Sequence, residues 1–362
     1  MGDLPHQTDE ASPAFVTDCL RDGGVLGTDS SVAEIAHEPI GVGVGIVGQL
    51  ARLSLRYDGE ALGAPGSVVL KLPSHLPENR AQGDHFNFYE REGRFYQHLA
   101  DKLPTRTAGC YWNLVDPDAN RFGLLLEDLG HCTSISQVAG VGPDRARQAL
   151  VSLAGLHAEL WESPAVDAFT WLPRFDGPIN LSAGPGYRQA WKPFLAKFGD
   201  FLPDGSVALG ARIQAGWEDL MSACRASSPV TVCHGDFRID NLLFDDTAAP
   251  GDQVAVLDWQ IVGSGPGVFD AAYLLSGSMA VDERRACEQD VVRAWHDALG
   301  RSGYRFEDAW TEYRRNLLVT TVYAVIAGAQ FDLANERGRE LIEGMAVRSF
   351  TACLDLDAAA LA

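Results

Sequence analysis

Three polar residues in the second half of the chain have the types and spacing that phosphoryl transfer requires. Asp236 follows a His-Gly pair, Asn241 lies five residues beyond it, and Asp258 lies seventeen residues beyond Asn241. In transfer from ATP, one carboxylate accepts the proton of the attacking hydroxyl, while an amide and a second carboxylate hold the Mg²⁺ ions that bridge the phosphates. We therefore predict Asp236 as the catalytic base and Asn241 and Asp258 as metal ligands.

Two short apolar strands are predicted to position these residues. Residues 242–244 directly follow Asn241, residues 254–257 directly precede Asp258, and the polar segment 245–253 connects them. A simple turn with two surface acids is the alternative, since Gly-Asp is common in turns. Both halves of the pattern occur in order and each adjoins an apolar strand, which favours the catalytic interpretation.

A lysine inside an apolar strand indicates a nucleotide-binding sheet. Residues 49–57 alternate apolar and polar side chains, and a Gly- and Pro-containing hairpin connection at 58–66 leads to an apolar strand at 67–72. Lys71 lies in that strand, where a charge is costly without a partner. In a nucleotide-binding lobe the partner is the α/β-phosphate pair, and a surface lysine on an edge strand is the alternative.

Helical spacing identifies an acid that can hold this lysine. The apolar positions of residues 85–99 define one face of a predicted helix: Phe88, Phe95, Tyr96 and Leu99. Glu92 falls on that face, whereas Glu90 lies about 200° around the helix and is expected to face water. A carboxylate on a buried face needs a cation, so we predict that Glu92 holds the ammonium group of Lys71.

A glycine-rich segment at residues 41–49 precedes the lysine strand. Glycines let the backbone approach phosphate closely and offer it N–H groups. A strand follows rather than a helix, so the segment does not fit the dinucleotide-binding fingerprint but does fit a β-hairpin flap over phosphates. We predict that Gly43, Gly45 and Gly48 contact the nucleotide, with a flexible turn as the alternative.

Composition and charge argue against several classes of partner. The chain has 362 residues, a length typical of about two domains. Of these residues 46% are hydrophobic, which is enough to form a core. Its 29 basic and 49 acidic residues give a net charge of -20, which argues against nucleic acid or an anionic membrane as a partner. The apolar segment 317–331 is too short to span a bilayer and is predicted to be a buried helix.

The N-terminus and the cysteines indicate a cytoplasmic location. Residues 1–10 contain acids where a signal peptide needs a basic stretch and an apolar run. The seven cysteines are scattered and have no C-x-x-C spacing, so neither a disulfide framework nor a zinc site is implied. Farther along, residues 145–161 are amphipathic, and His157 on the apolar side is predicted to be a hydrogen-bonded core residue.

The motif around Asp236 resembles that of a known superfamily. Residues 234–241 read H-G-D-x-x-x-x-N and residues 258–260 read D-W-Q, whereas protein kinases have H-R-D and D-F-G at these points. The combination resembles the aminoglycoside phosphotransferase and choline kinase superfamily. The E-x-x-F-Y pattern of residues 92–96 resembles, more narrowly, its ecdysteroid-kinase-like branch.

The resemblance implies a two-lobed, protein-kinase-like α+β fold. Residues 1–127 would form a small β-rich lobe that binds the nucleotide and has one key helix, and residues 128–362 a larger, mainly helical lobe with the catalytic loop and the acceptor-binding region. The backbone near Glu127 and Leu129, where the chain leaves the first lobe, would then bind the adenine edge.

The resemblance also assigns roles around the catalytic loop. Arg238 stands where protein kinases have a lysine that touches the transferred phosphate, and a guanidinium group suits developing charge on phosphate oxygens. A surface ion pair with Asp240 is the alternative. Asp270 is expected to brace the loop through backbone hydrogen bonds. The short segment between Asp258 and Asp270 argues against a phosphorylation-switched activation loop, and so against a protein kinase.

These observations predict an ATP- and Mg²⁺-dependent phosphotransferase that phosphorylates a hydroxyl group of a small molecule. The helical segments 162–230 and 281–350 are rich in aromatic residues that are candidates for an apolar acceptor cleft, although core packing is the alternative for each. Neither segment contains an acidic run suited to a polycation. We therefore expect a largely apolar, steroid-like alcohol as the acceptor.

Two further functions stay open at this point. The first is an aminoglycoside- or choline-type kinase that acts on a cationic acceptor. The second is a catalytically inactive, nucleotide-binding regulatory protein, which would be expected to lack one of the key residues. All four are present in the sequence: Lys71, Asp236, Asn241 and Asp258.

Overall fold

The computed structural model describes residues 4–41, 47–330 and 336–361 of the chain. These residues form two compact units. The first comprises three segments of the chain: Met1–Lys102, Thr107–Cys132 and Leu257–Gln260. The second comprises the other three: Leu103–Arg106, Thr133–Val256 and Ile261–Ala362.

An antiparallel sheet forms the centre of the first unit. Its five strands are β1 (Ser31–Ile40), β2 (Gly48–Asp58), β3 (Ser67–Pro73), β4 (Cys110–Asp116) and β5 (Arg121–Glu127). They are arranged in the order β1-β2-β3-β5-β4. Lys71 of β3 lies opposite Leu50 of β2 and Leu124 of β5. The predicted strands at 49–57 and 67–72 are confirmed, and each extends one residue or more beyond the predicted range.

Three helices accompany this sheet: α1 (Pro13–Asp22), α2 (Pro77–His85) and α3 (Phe88–His98). The prediction of one helix over residues 85–99 is wrong at its N-terminal end, because α2 ends at His85 and α3 begins at Phe88. Asn87 between them has φ of 56°, a left-handed conformation that asparagine tolerates better than most residues. This turn separates the two helices and sets the start of the α3 face that contains Glu92.

The core of the first unit lies between α1 and the sheet. Phe15 of α1 packs edge-on against Trp112 of β4, with ring centroids 5.6 Å apart. Leu53 and Leu70 are completely buried in the same cluster. Arg56, on the opposite face of β2 from Leu53, is exposed and pairs with Glu34. The predicted alternation of β2 is therefore confirmed, since one face meets the core and the other meets solvent.

The second unit contains two small sheets around the predicted catalytic motif. The strands are β6 (Thr133–Ser134), β7 (Val230–Cys233), β8 (Leu242–Phe244), β9 (Val254–Val256) and β10 (Gly263–Pro266). One sheet has the order β6-β8-β9, and β7 pairs with β10 in the other. The loop from His234 to Asn241 connects β7 to β8, so each end of the predicted catalytic loop is held by a hydrogen-bonded strand.

Helices make up most of the second unit. They are α4 (Pro143–Glu159), α5 (Pro164–Ala168), α6 (Pro178–Leu181), α7 (Ala183–Phe198), α8 (Ser206–Ser227), α9 (Val268–Ser278), α10 (Val281–Leu299), α11 (Phe306–Gln330) and α12 (Glu336–Asp355). The buried helix predicted from residue 317 onward is the C-terminal half of α11, where Leu317, Leu318 and Val322 are fully buried. Among the described residues, no helix has the length and apolarity needed to cross a bilayer. A β-rich N-terminal part and a mainly helical C-terminal part confirm the predicted α+β class.

Candidate active site

A buried ion-pair cluster joins three of the predicted site residues in the first unit. The Nζ atom of Lys71 lies 2.7 Å from Oε2 of Glu92 and 2.8 Å from Oδ1 of Asp258. The Lys71 side chain is only 11% exposed. The interpretation of Lys71 as a surface residue is therefore excluded, and the predicted pairing with Glu92 is present.

Helix α3 positions Glu92 for this contact. The helix packs against β4 and β5, and the buried side chains around Glu92 include Phe95 and Tyr96. Glu90, expected to face water, is half-buried, and its Oε1 lies 3.5 Å from Nε of Arg94. The choice of Glu92 over Glu90 follows from the face of α3 that the sheet covers.

The cluster keeps Lys71 charged in spite of its burial. Burial alone would lower the pKa of the Lys71 ammonium group, but the charges of Asp258 and Glu92 outweigh it, and the pKa is raised. Burial raises the pKa of Glu92, and Lys71 opposes this effect. A permanently protonated lysine in an apolar strand is suited to bind a phosphate oxygen.

Asp258 has a backbone conformation that requires local support. Its φ is 64°, in the left-handed region that non-glycine residues seldom adopt. The next residue provides that support, because the Trp259 ring stacks on Phe95 with centroids 3.8 Å apart and an interplanar angle of 8°. The Trp259 N–H also donates a hydrogen bond to the Glu92 carboxylate. Strain of this kind persists where the surrounding structure enforces it, and it is common at functional sites.

Three glycines are predicted to contact the nucleotide, and only Gly48 is among the described residues. Gly43 and Gly45 lie outside them. Gly48 is the first residue of β2 and lies opposite Pro73. A Cβ atom at Gly48 would lie 3.6 Å from Cε of Lys71, an ordinary contact. Gly48 is therefore close to the ion-pair cluster, but the local geometry does not itself require glycine there.

The predicted adenine-binding residues lie at the end of β5, in the same unit as Lys71. Glu127 is the last residue of β5, three residues beyond the Leu124 partner of Lys71, which is roughly 10 Å along the strand. Its Oε2 accepts a hydrogen bond from the N–H of Gly109 at 3.0 Å. Leu129 is buried, and its carbonyl accepts the N–H of Cys132 at 2.9 Å.

In the second unit, Asn241 orients the predicted base. Its Nδ2 donates to Oδ2 of Asp236 at 3.0 Å and to the Asp236 carbonyl at 2.9 Å. Gly235 has φ of 87°, and a Cβ atom there would lie 2.5 Å from the carbonyl oxygen of Ile261. Only glycine fits the turn that leads into Asp236.

Arg238 also contacts the predicted base, Asp236. Its Nε lies 3.2 Å from Oδ2 of Asp236, and its Nη1 lies 3.0 Å from Oδ2 of Asp240. The ion pair with Asp240 considered from the sequence is present, but it is not a surface pair, since both side chains are 14% exposed. Arg238 therefore bridges Asp236 and Asp240, the two acids of the loop.

Gln137 is a site residue that sequence reasoning missed. It is fully buried, its N–H donates to Oδ1 of Asp240 at 2.8 Å, and its Oε1 accepts from Nη1 of Arg238 at 3.2 Å. It therefore holds both members of the Arg238–Asp240 pair. No local pattern could have indicated this role, because Gln137 is about a hundred residues from both partners in the chain.

Asp270 braces the catalytic loop, as predicted. Its carboxylate accepts the N–H groups of His234 at 2.7 Å and Gly235 at 2.9 Å. His157 approaches the same carboxylate through Nε2 at 3.2 Å, and its Nδ1 accepts the indole N–H of Trp295 at 3.0 Å. Since Nδ1 is an acceptor, the Nε2 atom carries the proton, and the predicted role of His157 as a hydrogen-bonded core residue is confirmed.

Tyr273 is a second residue that the sequence analysis missed. It lies one helical turn after Asp270 on α9, and its hydroxyl group hydrogen-bonds the Asp236 carboxylate. Burial raises the pKa of Tyr273 well above its usual range, and the charge of Asp236 adds to this effect. The hydroxyl group therefore stays protonated and donates to Asp236. The i, i+3 spacing from Asp270 was the available signal, because such residues share a helix face.

We expect Tyr273→Phe to lower kcat by about tenfold, since a hydrogen bond to a charged group contributes about 1.5 kcal/mol or more. The measurement is kcat with a saturating acceptor, because the substitution removes the donor that helps to hold the Asp236 carboxylate. The matched control is Tyr187→Phe, since this buried hydroxyl has no hydrogen-bond partner among the described residues. A kcat equal to that of the wild type would exclude this role for Tyr273.

Each predicted metal ligand has suitable donor chemistry. Asn241 uses Nδ2 toward Asp236, so its amide oxygen Oδ1 is the atom with which it could bind a metal ion. Asp258 offers a carboxylate that is 28% exposed. Carboxylate and amide oxygens are the protein ligands that Mg²⁺ prefers. Each residue, taken by itself, therefore has a donor atom that fits the ion.

Comparison with known proteins gives a family and a fold. Residues 60–315 match the model described as the phosphotransferase enzyme family. A choline kinase from Cryptosporidium parvum Iowa II is similar in structure, with a TM-score of 0.55 and 11% identity over 90% of each chain. An ethanolamine kinase from Plasmodium vivax has a TM-score of 0.52 and 14% identity, covering 95% of this chain and 89% of its own.

A third solved structure is a GDP complex of an aminoglycoside 2'-phosphotransferase. It has a TM-score of 0.54 and 13% identity, covering 92% of this chain and 98% of its own. At such identities the likeness establishes the fold, and it confirms the predicted kinase-like class. No curated protein matches the chain.

Proposed function

This chain belongs to the phosphotransferase enzyme family, and from that premise we propose that it transfers the γ-phosphoryl group of ATP to a hydroxyl group of a small, largely apolar alcohol. The observation that carries the proposal is the ion-pair cluster of Lys71, Glu92 and Asp258. Burying a lysine between two carboxylates, one of them on a left-handed backbone, costs folding stability. Binding of an anionic ligand by this lysine would explain why the arrangement is kept.

The proposed reaction is an in-line displacement. The Asp236 carboxylate accepts the proton of the acceptor hydroxyl, whose oxygen forms a bond to the γ-phosphorus as the bond to the bridging oxygen breaks and ADP leaves. Asn241, Arg238 and Tyr273 all contact Asp236 and hold its carboxylate in place. Arg238 also supplies positive charge for the transferred phosphoryl group.

Nucleotide contacts are assigned to the N-terminal lobe, residues 1–127. Lys71 binds the α/β-phosphate pair, Glu92 holds Lys71, and the flap glycines Gly43, Gly45 and Gly48 cover the phosphates. The backbone at Glu127 and Leu129 binds the adenine edge. When bound, Mg²⁺ neutralises phosphate charge, and Asn241 and Asp258 are the residues assigned to it. Residues 128–362 contain the catalytic loop and the acceptor-binding region.

The acceptor class is the finer part of the proposal. The E-x-x-F-Y pattern of residues 92–96 supports the ecdysteroid-kinase-like branch, and steroid-like alcohols are then the first acceptors to test. Phe95 and Tyr96 of this pattern are buried beside Glu92, where Phe95 supports Trp259. A cationic acceptor is the second candidate, since the similar solved structures include choline, ethanolamine and aminoglycoside kinases by name.

The test is ATP turnover against a panel of sterols, amino alcohols, sugars and aminoglycosides, with ADP release and phosphorylated product measured together. We expect Mg²⁺-dependent phosphorylation of an apolar alcohol. ATP binding without transfer to any acceptor would instead support the inactive, regulatory alternative. The intact set of Lys71, Asp236, Asn241 and Asp258 argues against that alternative.

Ionic strength separates the two acceptor classes. Burial of an apolar skeleton contributes about 25 cal/mol per Å², enough for micromolar binding without a charge, and it does not weaken with added salt. We therefore expect the acceptor KM to be nearly the same at low and high ionic strength. A polycationic acceptor would be attracted by the net charge of -20, and its KM would rise with salt. A strong rise together with a preference for amines would overturn the apolar assignment.

A further inference from the structure

A cluster of polar side chains surrounds the main chain directly after β5. Oδ2 of Asp128 accepts hydrogen bonds from Nε of Arg52 at 2.8 Å and from the hydroxyl group of Ser67 at 2.7 Å. Nη1 of Arg52 also lies 2.9 Å from Oε2 of Glu38. We call Arg52, Ser67 and Asp128 the Asp128 clamp. It connects three neighbouring parts of the first unit, which are β2, β3 and the segment that follows β5.

The clamp differs from an exposed surface ion pair. The Asp128 side chain is 9% exposed, whereas that of Glu38 is 65% exposed. Burial alone would raise the pKa of Asp128, but hydrogen bonds from Ser67 and Arg52 outweigh it, and the pKa is lowered. Asp128 therefore stays ionised, and hydrogen bonds to a charged and largely buried group are stronger than exposed ion pairs.

The second oxygen of Asp128 shapes the turn that contains Leu129. Oδ1 accepts the N–H of Gly130 at 3.0 Å, which closes a turn that aspartate often forms with the residue two positions later. A Cβ atom at Gly130 would lie 2.6 Å from Nη2 of Arg52, so the guanidinium group occupies the space that a side chain would fill. The carboxylate thus contacts the two strands with one oxygen and holds the Leu129 turn with the other.

This turn leaves a main-chain donor at Leu129. The residue is 4% exposed, and its carbonyl accepts the N–H of Cys132 at 2.9 Å. Its own N–H donates to no atom among the described residues. A main-chain N–H on a buried residue needs an acceptor, and a ring nitrogen of a nucleotide base is one. The clamp therefore fixes the peptide that offers this donor.

The clamp and Lys71 lie on the same face of the sheet. Ser67 and Lys71 are four residues apart on β3, so their side chains lie on one side of it. Arg52 of β2 is paired with Val69 of β3, between these two, and paired residues share a face. The distance from Ser67 to Lys71 along the strand is about 13 Å. One strand therefore sets the spacing between the clamp and the lysine assigned to the phosphates.

We propose that Arg52, Ser67 and Asp128 are positioning residues for the nucleotide base, which hold the N–H of Leu129 where it meets an acceptor atom of the base. This inference rests on the proposed function. It goes beyond it because the three side chains act through the main chain and do not themselves contact the nucleotide. Loss of the clamp then weakens recognition of the base, while binding of the phosphates by Lys71 is unchanged.

The first test is Asp128→Asn, with binding of a non-hydrolysable ATP analogue and of inorganic tripolyphosphate measured by calorimetry in the presence of Mg²⁺. Asparagine can still accept the N–H of Gly130 through Oδ1, but its Nδ2 group cannot accept hydrogen bonds from Arg52 or Ser67. We expect the Kd of the ATP analogue to rise by about tenfold, the usual effect of losing a hydrogen bond to a charged group. The Kd of tripolyphosphate, which has no base, should change less than about twofold.

Asp116→Asn is the matched control for this test. Asp116 lies in the same unit at the end of β4, and its Oδ1 accepts the N–H of Ala119 at 3.1 Å. We expect wild-type affinity for both ligands in this control. Equal weakening of both ligands in Asp128→Asn would show a general loss of structure and overturn the positioning role. Wild-type affinity for both ligands in that variant would overturn it as well.

The second test changes the hydroxyl group of the clamp. Ser67→Ala removes one donor to Asp128, whereas Ser67→Thr keeps the hydroxyl group and suits a strand. We expect the alanine variant to raise the KM for ATP severalfold with kcat at saturating ATP within about twofold of the wild type, and the threonine variant to have nearly the wild-type KM. An unchanged KM in Ser67→Ala, or the same rise in both variants, would contradict the clamp.

Failure of the proposed function would look different. In that case the wild type would transfer phosphate to no acceptor on the panel, and calorimetry would still decide the inference, because it needs no acceptor. Tighter binding of the ATP analogue than of tripolyphosphate by the wild type, and loss of that difference in Asp128→Asn, would support the clamp. Equal binding of the two ligands by the wild type, or binding of neither, would overturn it.

Discussion

Asp236→Asn is expected to lower kcat by on the order of 10² to 10⁴ while nucleotide binding stays nearly intact, the usual contribution of a positioned base. Asparagine has the shape of aspartate, and its Oδ1 can still accept a hydrogen bond from Asn241 or Arg238. The fold of the loop is therefore preserved. What is lost is the ability to accept a proton from the acceptor hydroxyl group.

The measurement is single-turnover phosphate transfer together with titration of an ATP analogue. Asp246→Asn provides a matched control, since it makes the same chemical change at a side chain that is 66% exposed and pairs only with Arg145 among the described residues. We expect wild-type rates for this control. Retention of more than half the wild-type rate in Asp236→Asn would remove Asp236 from the mechanism.

The second large effect is expected at Asp258. Replacing it with Ala should abolish Mg²⁺-dependent nucleotide binding, because a hard dication prefers a carboxylate at the phosphate bridge. The substitution also removes one of the two carboxylates that hold Lys71. Lys71 keeps its contact with Glu92 at 2.7 Å, so the cluster is weakened but retains a balanced ion pair.

Backbone conformation complicates the alanine variant, so a second variant is needed. Alanine tolerates the φ of 64° at this position less well than aspartate, whereas asparagine adopts the left-handed region readily. Asp258→Asn therefore keeps the backbone and removes only the charge. Mg²⁺ titration in the presence of an ATP analogue should show much weaker metal dependence in both variants. Unchanged metal dependence in Asp258→Asn would refute the assignment of Asp258 as a ligand.

Local patterns in the sequence predicted the elements that contain the site residues. Alternation of side chains predicted β2, an apolar run predicted β3 with Lys71 inside it, and helical spacing placed Glu92 on the buried face of α3. Each of these depends on residues within a few positions of one another, and the period of the pattern distinguishes strand from helix. The sequence pattern did not predict where α3 begins, because the left-handed turn at Asn87 interrupts an otherwise continuous helical pattern.

The sequence also predicted the loop that contains Asp236 and Asn241. Asp236 and Asn241 are five residues apart in a loop between β7 and β8, and their side chains are in contact. The brace from Asp270 was expected from the family pattern, and the structure shows both of its backbone hydrogen bonds. The assignments of nucleotide, metal and acceptor contacts stay predictions that the proposed variants test.

Only the tertiary structure decided which distant side chains meet. Asp258 reaches Lys71 across 187 residues, and Gln137 holds Arg238 across 101. Tyr273 reaches Asp236 because Asp270, one turn earlier on α9, anchors that helix to the catalytic loop. Contacts of this kind depend on how whole elements pack, and packing is set by the summed burial of many side chains, which no short pattern encodes. The sequence by itself therefore predicted the candidate reacting groups and determined their local elements, whereas the fold determined which distant residues contact them.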